Sequence, residues 1–443
     1  MHHLRSFLSK TFQSFCVVAA AVGVTGTPLM TQQANAHDSI AFQYTQPRIK
    51  VGLEVLLENE EWLAKVRGKK VGLITNPTGV NHKLESNIDL LHQHPDIEVV
   101  ALFGPEHGIR GDAYAGDKVE SGVDEKTGIT VHSLYGKTRK PDPAWLEGLD
   151  LMIYDIQDVG SRSYTYIYTM AYAMEACAAK GIPFMVLDRP NPAGAHIVDG
   201  NILNPKEYAT FVGLYAIPYQ YGMTPGEAAL MFNDNFTSGN VQLEVIPVEG
   251  YSRSMMPWDT GFPFVPSSTH IVQQNHATYY NLTGIIGEIP HISIGVGYTL
   301  PFETMAAPWI DRDAFVDAIN ARNIPGLRAR PITYVPRYAS YAAKGDTPAQ
   351  PCHGAHLVVT DYHALRPFAA QIHLMHILHT MYPEQELFTD THAKQPLFDE
   401  VLGTDDIRRR LLAGETAEAI IASYEADLQA FLNLREKYLI YKD

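Results

Sequence analysis

Four short apolar runs in the first half of the chain each end in a loop of glycine, proline and polar residues. Residues 70–74 run into Thr75-Asn76-Pro77-Thr78-Gly79, and residues 98–103 into Gly104-Pro105-Glu106-His107-Gly108. Residues 151–154 run into Asp155-Ile156-Gln157-Asp158-Val159-Gly160, and residues 183–187 into Asp188-Arg189-Pro190-Asn191-Pro192. Continuous apolar runs of this length suit strands buried on both faces. Helical spacing fills the gaps. Residues 83–94 place Leu84, Ile88 and Leu91 on one face, and residues 164–180 form a longer apolar helix halted by Gly181 and Pro183. A further helix spans 224–236, with Thr224 as N-cap, Pro225 in first position and Glu227 closing a capping box. Residues 242–248 add a strand. Strands alternating with helices predict an α/β fold built on a parallel sheet.

Beyond residue 250 the rhythm dissolves into a stretch punctuated by Pro257, Pro263 and Pro266, which reads as a crossover between domains. The second half is mixed α+β. Strands are expected at 291–296 and 356–360, and helices at 314–322 and 368–381. Ile420, Tyr424, Leu428, Phe431 and Tyr438 mark one face of a terminal helix. The expected organisation is an α/β domain over 45–255 and a smaller α+β domain over 275–443.

The first 36 residues follow a different logic. Arg5 and Lys10 precede an apolar run over 15–24, and a polar stretch then ends in Ala34-Asn35-Ala36. Positive start, short apolar centre and small-residue exit are the pattern of a cleavable signal peptide, which predicts a periplasmic or secreted protein. No later run reaches the ~20 apolar residues of a spanning helix, so stable membrane insertion is not expected. The formal net charge of −15 argues against nucleic acid as a partner. With Cys16 in the leader, Cys177 and Cys352 are too few for a disulfide framework. The chain has no serine elbow, Walker loop, His-Glu-x-x-His or Cys-x-x-Cys. Gly295-Val296-Gly297 lacks the rest of a dinucleotide fingerprint. His363, His373, His376 and His379 read better as the polar positions of an amphipathic helix than as a metal site. Neither metal nor cofactor is expected.

In an open α/β sheet, ligands bind beyond the carboxyl ends of the strands, which is where the four polar loops lie. Turn chemistry accounts for Asn76, Pro77 and Gly79. It does not call for Glu106 and His107, nor for Asp155, Gln157, Asp158 and Arg162. Glu106, following an apolar strand and a Gly-Pro turn, is the leading candidate for a general acid. His107 either assists it or serves the backbone. Asp155 and Asp158 are candidates for a second carboxylate, since glycoside hydrolysis uses two; their alternative role is to cap the helix that follows. Arg162 either clamps a substrate carboxylate or pairs with one of those aspartates. Of Tyr164, Tyr166, Tyr168 and Tyr172, one or two near the helix start would stack on a sugar ring.

These loops resemble those of the NamZ-like exo-β-N-acetylmuramidases. The resemblance rests on Val71 through Val80, Phe103 through Gly111, and Tyr154 through Arg162 followed by Tyr164-Thr165-Tyr166. It continues in Leu187 through Pro192, Tyr221 through Glu227, and Ala307-Pro308-Trp309-Ile310-Asp311. It implies a Rossmann-like N-terminal domain, a smaller C-terminal domain and a cleft between them. It also implies removal of N-acetylmuramic acid, or a related amino sugar, from the non-reducing end of peptidoglycan fragments, without a cofactor. Glu106 then stands as the expected acid. Substrate contacts are expected from Asn76, His107, Arg110, Gln157, Arg162, Tyr164, Asn191, Tyr221 and Glu303. One stretch departs from the family. Ile294 and Val296 stand where a Glu and an Arg are usual, and Ile285-Ile286-Gly287-Glu288-Ile289 replaces a Phe-Glu-Gly-Thr-Asn segment. A protein that binds wall fragments without cleaving them is the alternative this departure permits. An esterase or amidase is the third reading, disfavoured by the missing serine elbow.

Overall fold

The computed structural model describes residues 49–111, 121–136, 138–289, 291–337, 341, 348–389 and 395–443. The expected signal peptide lies outside them. The four apolar runs form strands β1 (Lys70–Thr75), β2 (Glu98–Gly104), β5 (Leu151–Asp155) and β6 (Phe184–Leu187). Together with β3 (Gly122–Val123), β4 (Thr130–Ser133) and β7 (Leu243–Ile246) they make one sheet of order β3-β4-β2-β1-β5-β6-β7. Neighbouring strands are parallel except β3 against β4.

Side chains alternate across this sheet, and both faces are covered. Val71, Leu73, Ile153 and Met185 pack with the helices Gly52–Glu58, Glu60–Val66 and Asn87–Gln93. Ile74, Met152, Tyr154, Phe184 and Val186 pack with the helices Tyr166–Lys180 and Pro225–Asn235. Burial on both sides is why the runs are continuously apolar rather than alternating. The chain lays β2 and β4 on one side of β1, then crosses to the other side for β5, β6 and β7. This reversal between β1 and β5 is the switch point at which doubly wound sheets open a crevice, and Thr75 pairs with Asp155 there.

Local signals hold with small shifts. The Thr224–Glu227 capping box forms in both directions, at 3.2 and 3.1 Å. The helix expected from residue 83 begins at Asn87, capped by Ser86. Leu84 instead lies before it at a φ of 63°, with its side chain exposed. The helix expected from residue 164 begins at Tyr166, and no side chain caps it, so neither Asp155 nor Asp158 has that role.

The second half builds the antiparallel sheet β8-β10-β9 from β8 (Thr304–Ala307), β9 (Leu327–Tyr334) and β10 (Cys352–Val359). The helices His276–Thr283, Arg312–Ala321, Pro367–Met381 and Ala417–Arg435 share its core. The strand expected at 291–296 does not form. His291, Gly295 and Gly297 have φ of 62°, 85° and 80°, and Ser293 makes only one bridge, to Ala306. Gly295 is obligatory: a Cβ there would sit 2.0 Å from the Leu300 carbonyl oxygen. The final residues return to the first half of the chain, where the Tyr441 hydroxyl donates to Asp188, just after β6, at 2.6 Å and the Ile440 amide donates to Glu227, in the helix Pro225–Asn235, at 2.9 Å. Cys177 and Cys352 are buried free thiols, and no helix among the described residues is long and apolar enough to cross a membrane.

Candidate active site

Glu106 stands just past the end of β2, where Pro105 and a tight turn stop the strand. The Gly108 amide closes that turn onto the Pro105 carbonyl at 3.1 Å, and His107 and Gly108 both take positive φ, 72° and 74°. A histidine held in the left-handed region costs on the order of 1 kcal/mol, a strain that clusters at functional sites. The turn delivers Glu106 to the wall of a cleft of about 460 Å³. Thr165 donates its hydroxyl to Glu106 Oε2 at 3.0 Å. Tyr135, at the end of β4, hydrogen-bonds the same carboxylate. Burial, with the Glu106 charge and hydrogen bond adding to it, pushes the Tyr135 hydroxyl up to about 12. Tyr135 therefore stays protonated and donates.

The opposite wall comes from the second half of the chain: His270, Tyr280, Glu288, Phe302 and Glu400. Burial, reinforced by nearby His107, holds His270 below the usual histidine value, so at neutral pH it is an uncharged hydrogen-bonding group. Tyr164 meets Tyr280 edge-on at 5.5 Å, and Tyr280 meets Phe302 at 5.2 Å. This aromatic line suits the apolar face of a sugar ring. Ser163 joins the two halves, donating to Tyr219 at 3.0 Å and lying 3.1 Å from the Tyr280 hydroxyl.

Of the residues expected at the site, Glu106, His107 and Tyr164 line this cleft. Most of the others form a polar layer beneath it. Asp155 is fully buried, paired with Arg189 at 2.5 and 3.1 Å and with the Asn87 amide at 2.8 Å. With both oxygens bound inside the protein it is a structural carboxylate, not a second catalytic one. Asn76 folds back on Thr78, accepting from its amide at 3.0 Å and its hydroxyl at 2.5 Å. Gln157 donates to the Pro190 carbonyl at 2.6 Å. Asn191 is closed at both ends, by the Ala193 amide and the Met223 carbonyl, each at 2.9 Å. Asp158 accepts from the Gly160 amide at 2.8 Å and from the Tyr221 hydroxyl, while its Oδ1 is buried without a hydrogen-bond partner. Burial outweighs those hydrogen bonds and raises its carboxyl to about 6. Gln157 and Asp158 line a smaller neighbouring cavity of about 70 Å³, walled mostly by prolines and other apolar residues.

Three expected contacts lie elsewhere. Arg162 neither clamps a ligand nor pairs with an aspartate. Its guanidinium is fully buried and donates to the carbonyls of Asn201, Ile217, Val401 and Leu402 at 2.6–3.2 Å. Burial without a carboxylate partner lowers it to about 10. Arg110 forks onto Asp124, both bonds at 3.0 Å. Glu303 sits between His276 and His356, 3.2 Å from each. Burial opposes its charge, but the two histidines outweigh it and hold the carboxyl down to about 2. Ile294 and Val296, at the family's missing Glu and Arg, pack with the second core. In the same altered region Glu288 keeps a carboxylate on the cleft.

Tyr135, Arg139, Thr165, Tyr280 and Glu288 also line the cleft, and none is among the site residues expected from sequence. Tyr135 had a usable signal, the Leu134-Tyr135-Gly136 loop. It was hidden because β4 is four residues long and alternates between exposed and buried positions. No group of three or more potential metal ligands occurs among the described residues.

Comparison with known proteins supplies an independent measure. A family model described as exo-β-N-acetylmuramidase NamZ, N-terminal, matches residues 71–275, and its C-terminal counterpart matches residues 278–441. The peptidoglycan β-N-acetylmuramidase NamZ of Bacillus subtilis (strain 168) is 43% identical over 425 residues, covering 96% of this chain and 99% of that protein. Two crystal structures of DUF1343 family proteins from Bacteroides fragilis NCTC 9343 share the fold. One has a TM-score of 0.83 at 40% identity, covering 90% of this chain and all of the other. The second has a TM-score of 0.66 at 28% identity, covering 89% and 99%.

Two outcomes follow from this geometry. Arg162→Met removes a donor from four buried carbonyls; those of Ile217 and Leu402 still accept from the Leu203 amide and the Asn201 side chain, and those of Asn201 and Val401 lose their Arg162 donor. At ~1–3 kcal/mol per unsatisfied group the expected loss of stability is at least about 2 kcal/mol in chemical denaturation. A fully stable variant with weakened ligand binding would restore the substrate role. Asp158 holds a proton in the folded state that the unfolded chain, with a carboxyl near ~4, has already released. Its contribution to stability is therefore present at low pH and declines as pH rises from about 4 to 6. Unfolding free energy measured across that window should rise in Asp158→Asn relative to the parent. A difference independent of pH would refute the raised value.

Proposed function

Because the chain belongs to the NamZ exo-β-N-acetylmuramidase family, we propose that it is a glycosidase that releases N-acetylmuramic acid from the non-reducing end of peptidoglycan fragments. The observation that carries this reading is the Glu106 carboxylate on the wall of a sugar-sized aromatic cleft, held by Thr165 and Tyr135. Glu106 in its protonated form is the general acid that delivers a proton to the leaving glycosidic oxygen. Thr165 and Tyr135 fix its orientation, and Tyr135 remains a donor once the proton has left. The second catalytic role falls to Glu288 or Glu400 across the cleft, activating water, or to the substrate's own acetamido group. The pairing of Asp155 with Arg189 argues against that carboxylate in the role. The leader pattern over residues 1–36 supports export, which brings the cleft to the wall material it would consume.

A chromogenic N-acetyl-β-muramide provides the test. Glu106→Gln keeps the shape and removes the acid, and turnover should fall by about 10²–10⁴ with the fold intact. Turnover equal to that of the parent would remove Glu106 from the chemistry.

A further inference from the structure

N-acetylmuramic acid differs from N-acetylglucosamine by a lactyl ether that ends in a carboxylate. Taking that carboxylate into a cleft is costly unless a cation with directed donors meets it. The arginines nearest the strand-end loops are committed to the protein itself: Arg110 to Asp124, Arg162 to four carbonyls and Arg189 to Asp155. Among the described residues lining the cleft there is no lysine and one arginine, Arg139. Its guanidinium lies over the Phe211 ring, 4.2 Å from the centroid. Phe211 is in turn stacked parallel to Tyr172 at 6.0 Å. A guanidinium resting on an aromatic ring keeps N–H groups available to donate, and its planar fork matches a carboxylate. Arg139 lines the same cleft as Glu106 and is near enough to Tyr135, the residue that hydrogen-bonds Glu106, to act electrostatically on its hydroxyl. Burial lowers His270, which weakens it as a competing cation.

We propose that Arg139 binds the lactyl carboxylate of the substrate and thereby makes the cleft select muramic acid over glucosamine. This deepens the glycosidase reading and rests on it. The test compares a chromogenic N-acetyl-β-muramide with its lactyl methyl ester, which keeps the lactyl ether and removes the charge. The full chain and its Arg139→Gln and Arg139→Lys variants are assayed on both. The parent should prefer the free acid by about 10- to 100-fold in kcat/KM, chiefly through KM, as expected for a hydrogen bond to a charged group. In Arg139→Gln that ratio should collapse toward one because the free acid loses far more kcat/KM than the methyl ester, and Arg139→Lys should recover part of it. A ratio unchanged in Arg139→Gln overturns the assignment while leaving the glycosidase standing. Loss of both substrates together in a folded variant also overturns it. A parent that cleaves neither substrate sinks the glycosidase reading and this inference with it.

Discussion

Arg189 and Asp155 meet where three neighbouring strands of the sheet, β1, β5 and β6, end together. Asp155 closes β5, Arg189 follows β6, and Asp155 also holds Asn87, which hydrogen-bonds Thr75 at the end of β1. The second guanidinium nitrogen reaches the Val80 carbonyl at 3.0 Å, fastening the loop beyond β1 as well. A buried ion pair of this kind contributes little net stability over an apolar substitute, because desolvation offsets the attraction. Breaking one side of it, however, leaves an uncompensated charge. Its effect is to permit one arrangement of the loops at the switch point. The Asn76, Gln157 and Asn191 hydrogen bonds add to that fixed layer, and the cleft rests on it.

A second constraint sets the width of the cleft. Arg162 belongs to the loop after β5, yet two of its four carbonyl partners, those of Val401 and Leu402, come from the helix Gln395–Leu402 in the second half. At the far end of the chain, Tyr441 and Ile440 dock on Asp188, which follows β6, and on Glu227 of the helix Pro225–Asn235. The two halves are thus tied at separate points. The wall bearing Glu106, Tyr135 and Thr165 is held opposite the wall bearing Tyr280 and Glu288. Polar residues that look like substrate contacts in sequence instead hold the geometry in which a smaller set can act.

The buried strands were legible because burial on both faces leaves an unbroken apolar run. β4, β8 and β9 were not. β9 is an edge strand with alternating exposure and Pro331 within it, so it lacks that run. The false strand at 291–296 shows the converse: apolar residues alternate there, but the backbone at Gly295 and Gly297 turns left-handed. At the site, the loops carrying chemistry could be located from the strand-end rule, and Glu106 could be singled out. The roles of Asp155, Arg162 and Asn191 could not be separated, because Asp, Arg and Asn serve a ligand and a buried polar layer with the same donors and acceptors. Only the partner decides between the two, and these partners lie from 2 to 240 positions away in sequence. Tyr280 and Glu288 were missed for a related reason: they reach the cleft from the other half of the chain.

The altered region around 285–300 bears most directly on whether the cleft cleaves or merely binds. Its apolar replacements are absorbed by the second core, and Glu288 still faces Glu106's cleft. Turnover rather than capture is therefore expected. Mass spectrometry of soluble products after incubating the protein with digested peptidoglycan measures this directly. Free N-acetylmuramic acid accumulating with time is the predicted result, and tight retention of intact fragments with no released monosaccharide would contradict it.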